Sequence, residues 1–210
     1  MYQKVIAQIR KEYKDISCRD DEKIKEAVQL LLKNIHRNGE EKYPLPVVRL
    51  LSQMNFGLFR TRFENPNQSG LIAVDSALPE MNKLFSTDRI ILVNEQDSTA
   101  HQRFTIVHEL AHYIFDFDEA VQPTYYKAYL TTEKSDPREL RANRFAAELL
   151  MPTDDFCAKC DELERAQGDA FSLPNTITQL HKFFDAPVTA VKKRLEEVGK
   201  FQVQEDDIRA

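Results

Sequence analysis

Residues 103–116 read Arg103-Phe-Thr-Ile-Val-His108-Glu109-Leu-Ala-His112-Tyr-Ile-Phe-Asp116, and the rest of the chain is best read outward from them. Residues four apart on an α-helix lie about 40° apart around the axis and about 6 Å apart along it. On a helix, His108 and His112 therefore point the same way and can share one ion, for which imidazole nitrogen is a good ligand. Glu109 follows the first histidine but is turned from it. Its carboxylate can meet a water in an open coordination position and act as general base. Phe104, Ile106, Val107, Leu110, Ala111, Ile114 and Phe115 make this stretch apolar on nearly all sides, which predicts a buried helix. Two histidines and a glutamate inside it need partners, because unpaired polar groups cost several kcal/mol there. A metal ion, expected to be Zn2+, supplies them.

A catalytic zinc takes a third protein ligand. The chain has five histidines, at 36, 101, 108, 112 and 181. His101 could share the helix face but sits at the helix start, and His181 falls in a distant amphipathic segment. The stronger candidate is Glu139 in Asp136-Pro-Arg-Glu139-Leu-Arg-Ala-Asn143-Arg-Phe-Ala-Ala-Glu148-Leu-Leu-Met-Pro152. The alternative for Glu139 is a capping role at the third helical position. Asn143, one turn on, could take the second N–H of a ligand histidine, and Asp116, four residues after His112, could do the same; the alternative for Asp116 is an exposed carboxylate at a helix end. Glu148 faces elsewhere and is expected in solvent.

Apolar spacing predicts helices over 3–14 and 21–37, the second ended by Gly39, and a short helix over 46–54. Gly57–Phe63 alternates as a strand, 65–70 is a turn, and Leu71–Asp75 is the return strand. Residues 76–88 read as a loop and Arg89–Asn94 as the strongest strand. A helix over 99–116 would open on a Thr99/Gln102 capping box. A linker with Tyr125, Tyr126 and Tyr129 follows. A helix over 137–151 would be capped by Asp136, with Pro137 at its first position and Pro152 ending the run. Helices over 153–166, 173–184 and 187–198 close the chain. Strands in the first half and helices in the second make an α+β fold.

The 210 residues carry 29 Lys and Arg against 34 Asp and Glu, a net charge of −5. That balance argues against non-specific nucleic-acid binding, which relies on basic clusters to displace counterions. Direct DNA contact through 173–198 would have to rest on Lys192, Lys193 and Arg194, which Glu196 and Glu197 follow at once. No apolar run is long enough to span a membrane, and the N-terminus lacks a signal-peptide core, so a cytoplasmic location is expected. Three cysteines do not make a disulfide framework, and Cys157-Ala-Lys-Cys160 lacks two ligands for a closed zinc site.

Arg103-Phe-Thr-x-x-His-Glu-Leu-Ala-His, followed by Glu139-x-x-Ala-Asn-x-Phe-Ala-x-x-Leu-Leu-Met-Pro, resembles the ImmA/IrrE family of metallo-endopeptidases over roughly 45 to 198. With the predicted elements the chain reads as an α+β fold with a small antiparallel sheet packed against the metal-binding helix and extra N- and C-terminal helices, divided into a helical extension over 1–42, a core over 43–166 and a C-terminal helical subdomain over 167–210. The resemblance implies that the core is zincin-like. It makes Glu139 the third zinc ligand. It also implies a protein substrate, often a helix-turn-helix repressor whose cleavage releases transcription. The other reading is a metal-stabilised binding or sensor partner of a regulator, of toxin–antitoxin or mobile-element type, with little proteolysis. Two departures, the N-terminal extension and a long 76–88 segment, keep the target from being inherited. Peptide is expected to add to a strand edge near Ile90–Asn94. The oxyanion donor is open among Tyr113, Tyr125, Tyr126 and Tyr129.

Overall fold

The computed structural model describes residues 2–13, 15–35, 42–75, 79–117, 124–130, 136–168 and 172–200. In chain order the elements are α1 (Tyr2–Tyr13), α2 (Asp21–Ile35), α3 (Val47–Gln53), β1 (Gly57–Thr61), β2 (Gln68–Asp75), α4 (Pro79–Phe85), β3 (Arg89–Asn94), α5 (Thr99–Phe115), β4 (Thr124–Leu130), α6 (Pro137–Leu150), α7 (Thr153–Gln167), α8 (Leu173–Phe184) and α9 (Val188–Glu197). The fold is α+β, a zincin-like core with further helices at both ends.

The sheet runs β1-β3-β2-β4. β3 pairs antiparallel with β2 and parallel with β1, and β4 pairs antiparallel with β2. Three expectations change here. β1 and β2 do not pair as neighbours across the 65–70 turn, because β3 lies between them. The sheet is therefore mixed rather than wholly antiparallel. Ile90–Asn94 is consequently internal and offers no free edge; among the described residues the edges are β1 and β4. Its burial on both faces is what a near-continuous run of Ile, Leu and Val signals.

Two elements were not expected. The 76–88 segment holds α4, a seven-residue helix too short to display a helical period. The stretch read as a linker holds β4, Thr-Tyr-Tyr-Lys-Ala-Tyr-Leu, whose β-branched and aromatic residues suit a pleated surface. Other differences are small. β2 starts at Gln68, and Ser98, not Thr99, caps α5 by accepting from the His101 N–H. Asp136 caps α6 as expected, accepting from the Arg138 N–H at 2.8 Å. Gly39 lies outside the described residues.

One hydrophobic cluster joins these pieces, from Ile6 and Ile9 of α1 through Ile72 and Ile91 of the sheet, Val107 and Leu110 of α5 and Phe145 of α6 to Leu180 and Val191 of α8 and α9. Every residue of α5 from Phe104 to Phe115 is buried. The helix lies on the sheet with α6 packed along it. Arg103 fixes its first half: Nη2 donates to Leu45 O at 2.8 Å, and Nε donates to Asp185 O at 3.1 Å. At its other end Arg10 of α1 donates to the carbonyls of Tyr113 and Ile114 and stacks on the Tyr113 ring. A cation there complements the negative end of the helix dipole. No helix among the described residues is long and apolar enough to cross a membrane.

Glu148 is not in solvent. It is 4 % exposed and paired with Arg194, itself buried, which also donates to Met151 O at 3.2 Å. The basic cluster of α9 thereby loses one of its three charges to the interior.

Candidate metal centre

Two helices build the site. α5 is held flat against the sheet by Gly70 of β2: a Cβ there would stand 2.3 Å from Thr105 Cγ2 and 3.3 Å from Glu109 Oε1. No larger residue allows this approach, so the glycine sets the depth at which α5 presents its polar residues. α6 starts at Pro137, with Glu139 in its first turn pointing at α5.

His108, His112 and Glu139 converge, each fully buried, with one ligand atom from each lying within 4.8 Å of the others. His108 Nε2 is 3.1 Å from His112 Nε2 and 3.1 Å from Glu139 Oε2, and His112 Nε2 is 3.3 Å from Glu139 Oε1. The opposite ring nitrogens face acceptors. His108 Nδ1 lies 3.0 Å from Asn143 Oδ1, and His112 Nδ1 lies 2.6 Å from Asp116 Oδ2. An oxygen opposite Nδ1 requires the proton there, which leaves the Nε2 lone pair of a neutral ring directed inward. With both rings neutral, two such lone pairs and two carboxylate oxygens meet in a buried space. That is a donor set for a cation. Among the described residues the set is three protein ligands of N and O type, the number that an open metal position takes.

The electrostatics agree. Burial, with the neighbouring His112 adding to it, pulls His108 down to about 4 against the pull of Glu139. Burial also opposes charge on His112, but the Asp116 and Glu139 carboxylates outweigh it and carry His112 up to about 9. The same carboxylates that face His112 thus favour its positively charged form, as they would a cation.

Asp116 is itself gripped. Its other oxygen accepts from Arg141 Nη2, and Arg141 Nη1 donates to Ile16 O at 3.3 Å. The chain before α2 therefore connects to the His108, His112 and Glu139 cluster through Arg141, Asp116 and His112. Sequence alone does not single out Arg141. Its position two residues after Glu139 on the same helix offered no signal without the crossing of α5 and α6.

Of the tyrosines, Tyr113 is buried away from the cluster, edge-on to Phe56 at 5.0 Å. Tyr129 of β4 lies against His108, ring centroids 3.9 Å apart and 34° from parallel. Burial, then the charges of Glu139 and Glu109, push its phenol up to about 12. The side chains of Tyr125 and Tyr126 lie outside the described residues. The other described histidines do not join the cluster. His101 Nε2 is 3.0 Å from Ser69 Oγ, and His181 Nδ1 is 2.6 Å from Ala186 O. Cys157 and Cys160 are free thiols, and burial pushes Cys160 up to about 11. A thiol so placed is neither a ready nucleophile nor a ready metal ligand at neutral pH.

A mixed sheet carrying a buried His-Glu-x-x-His helix, with a glutamate from the next helix completing the cluster, defines a zincin-like protein. The chain belongs to the M78 peptidase family: the model of the IrrE N-terminal-like domain matches residues 51–196, from α3 through α9. The family is one of metallopeptidases, and the His108, His112 and Glu139 cluster fits a metal site. No curated protein matches the chain. Among solved structures, a Mycobacterium tuberculosis transcriptional regulator is similar at 17% identity with a TM-score of 0.44, over 93% of this chain and 51% of that one. The chain thus spans about half the length of that regulator.

Proposed function

We propose that this protein is a zinc-dependent endopeptidase that cuts a cytoplasmic protein partner, of which a helix-turn-helix repressor is the leading candidate. The observation that carries this reading is the buried convergence of His108, His112 and Glu139 beside Glu109. His108, His112 and Glu139 would hold a zinc ion, which when bound would supply a Lewis acid for a water and a peptide carbonyl. Glu109 accepts a proton from the attacking water and returns it to the leaving amine. Asn143 and Asp116 hold the two imidazoles in the tautomer that directs Nε2 inward. The partner's chain lies extended along β4, the sheet edge beside His108, where backbone hydrogen bonds of an added strand bind without demanding one side-chain sequence.

Purified protein is assayed for bound metal by mass spectrometry, then incubated with helix-turn-helix repressors, including any encoded beside its own gene. Stoichiometric zinc and cleavage in the wild type, with zinc kept and cleavage lost in Glu109→Gln, supports the reading. A wild type that takes up no divalent metal sinks it. Zinc binding with no cleavage of any regulator favours a binding partner instead.

A further inference from the structure

Three placements single out Tyr129. Its ring lies on that of His108, 3.9 Å away. Its strand partner is Gly70, the residue whose missing Cβ would stand 3.3 Å from Glu109 Oε1. Residues directly opposite in adjacent antiparallel strands have Cβ positions about 5 Å apart, so Tyr129 stands beside Glu109 as well as over His108. Glycine on the neighbouring strand puts no side chain of β2 between them. Third, among the described residues β4 is an edge strand of the sheet. A peptide added to it would run about 4.8 Å away, next to the strand from which Tyr129 projects.

A peptidase needs a donor for the oxygen of the scissile carbonyl, where negative charge develops as the water adds. A phenol is a protonated donor at neutral pH. We propose that Tyr129 is that donor, its O–H reaching the carbonyl oxygen of a peptide lying along β4. The proposal rests on the peptidase reading above. In the step, the water oxygen bonds to the carbonyl carbon and the C–N bond breaks. One water proton reaches the amine through Glu109. Tyr129 lends a hydrogen bond and keeps its own proton.

The competing role is packing alone, with the ring merely holding His108 in place. Tyr129→Phe separates the two, because it keeps the ring and removes the hydroxyl. The probe is acetohydroxamate, which offers an oxyanion without demanding a known peptide sequence. Zinc stoichiometry, zinc affinity by chelator competition and acetohydroxamate affinity by calorimetry are measured on wild type and Tyr129→Phe. The expected result is unchanged zinc binding with acetohydroxamate bound about ten-fold or more weakly in the variant, as loss of one hydrogen bond to a charged group predicts. Equal acetohydroxamate affinity in the two zinc-loaded proteins overturns the assignment, and so does a zinc-loaded wild type that binds none. A matching drop in zinc affinity overturns it too, and assigns the hydroxyl to holding His108. If the wild type takes up no zinc, the peptidase reading itself has failed; metal content distinguishes that case from the others.

Discussion

His112 Nδ1 donates to Asp116 Oδ2 at 2.6 Å, one helical turn further along α5, while Arg141 of α6 holds the other oxygen of the same carboxylate. A short charge-assisted contact of this kind fixes both the tautomer and the plane of the ring. Because Arg141 also reaches Ile16 O, the orientation of His112 depends on where the chain before α2 lies.

Removing that hold should weaken metal binding without unfolding the protein. Outer partners of a ligand histidine are worth about 10–100-fold in metal affinity. Asp116→Ala is expected to lose affinity in that range, and Arg141→Ala to lose less, since Asp116 still faces the ring. Competition with a chromogenic chelator measures both. Wild-type affinity in Asp116→Ala would show that the contact does not orient the ligand.

Metal uptake should also be pH-dependent, with a sign set by His112. In the metal-free protein its pKa is carried up to about 9, so at pH 7 the ring is charged and the ion must displace a proton. His108, at about 4, is already neutral there. Zinc binding at pH 7 is therefore expected to release close to one proton from the cluster, and affinity should fall as pH falls. The linked effect on the metal-free fold runs in two directions. His112 contributes stability below its unfolded pKa, near 6.5, and that contribution is lost as pH rises through about 9. His108 contributes above 6.5, and that contribution is lost as pH falls towards 4. Calorimetry in buffers of different ionisation enthalpy counts the protons; none released would contradict the charged His112.

The convergence of His108, His112 and Glu139 was legible because a helix writes its geometry into spacing. His108 and His112 lie on one face wherever that helix goes, and Asp136-Pro137 marked the start of α6 so that Glu139 fell in its first turn. What spacing cannot give is which strand lies beside which. β3 inserts between β1 and β2 because the sheet is ordered by tertiary packing, and no turn residue at 65–70 records that insertion. The same blindness hid β4, and with it the nearness of Tyr129 to His108. Glu148 is buried and not solvated for a related reason. Its facing relative to Glu139 was right, but the buried partner, Arg194, lies 46 residues away in a helix whose docking the local sequence does not specify.

Gly70 offers a test of how closely α5 must lie on the sheet. Alanine there meets Thr105 Cγ2 at 2.3 Å, inside any permitted contact. Either the helix or the strand must shift, and overpacking of this sort costs about 1–3 kcal/mol. Gly70→Ala is expected to lower the denaturation midpoint and to loosen metal binding, because the shift moves the helix that carries both histidines. Thr105→Ser removes the obstructing methyl, so the double variant should recover much of the loss. A fully additive pair would mean that the two residues do not press on each other in the variant.

Arg194 and Glu148 make the last case, in which burial decides the sign. Arg194 of α9 is 8 % exposed and Glu148 of α6 is 4 % exposed. Arg194 ties the C-terminal helix to the end of α6 through Glu148, Met151 O and Thr153 Oγ1, the last at 3.0 Å. Two buried charges gain from each other about what they lose by leaving water, so the pair as a whole adds little. Breaking it is different. Arg194→Leu leaves Glu148 charged and buried, at a cost of about 3–5 kcal/mol. Replacing both, as Glu148→Leu with Arg194→Leu, removes the uncompensated charge and should restore most of that stability. Chemical denaturation of the two variants and the wild type checks the order. If the single and double variants lose the same amount, the cost lies in the hydrogen bonds to Met151 and Thr153 and not in the stranded carboxylate.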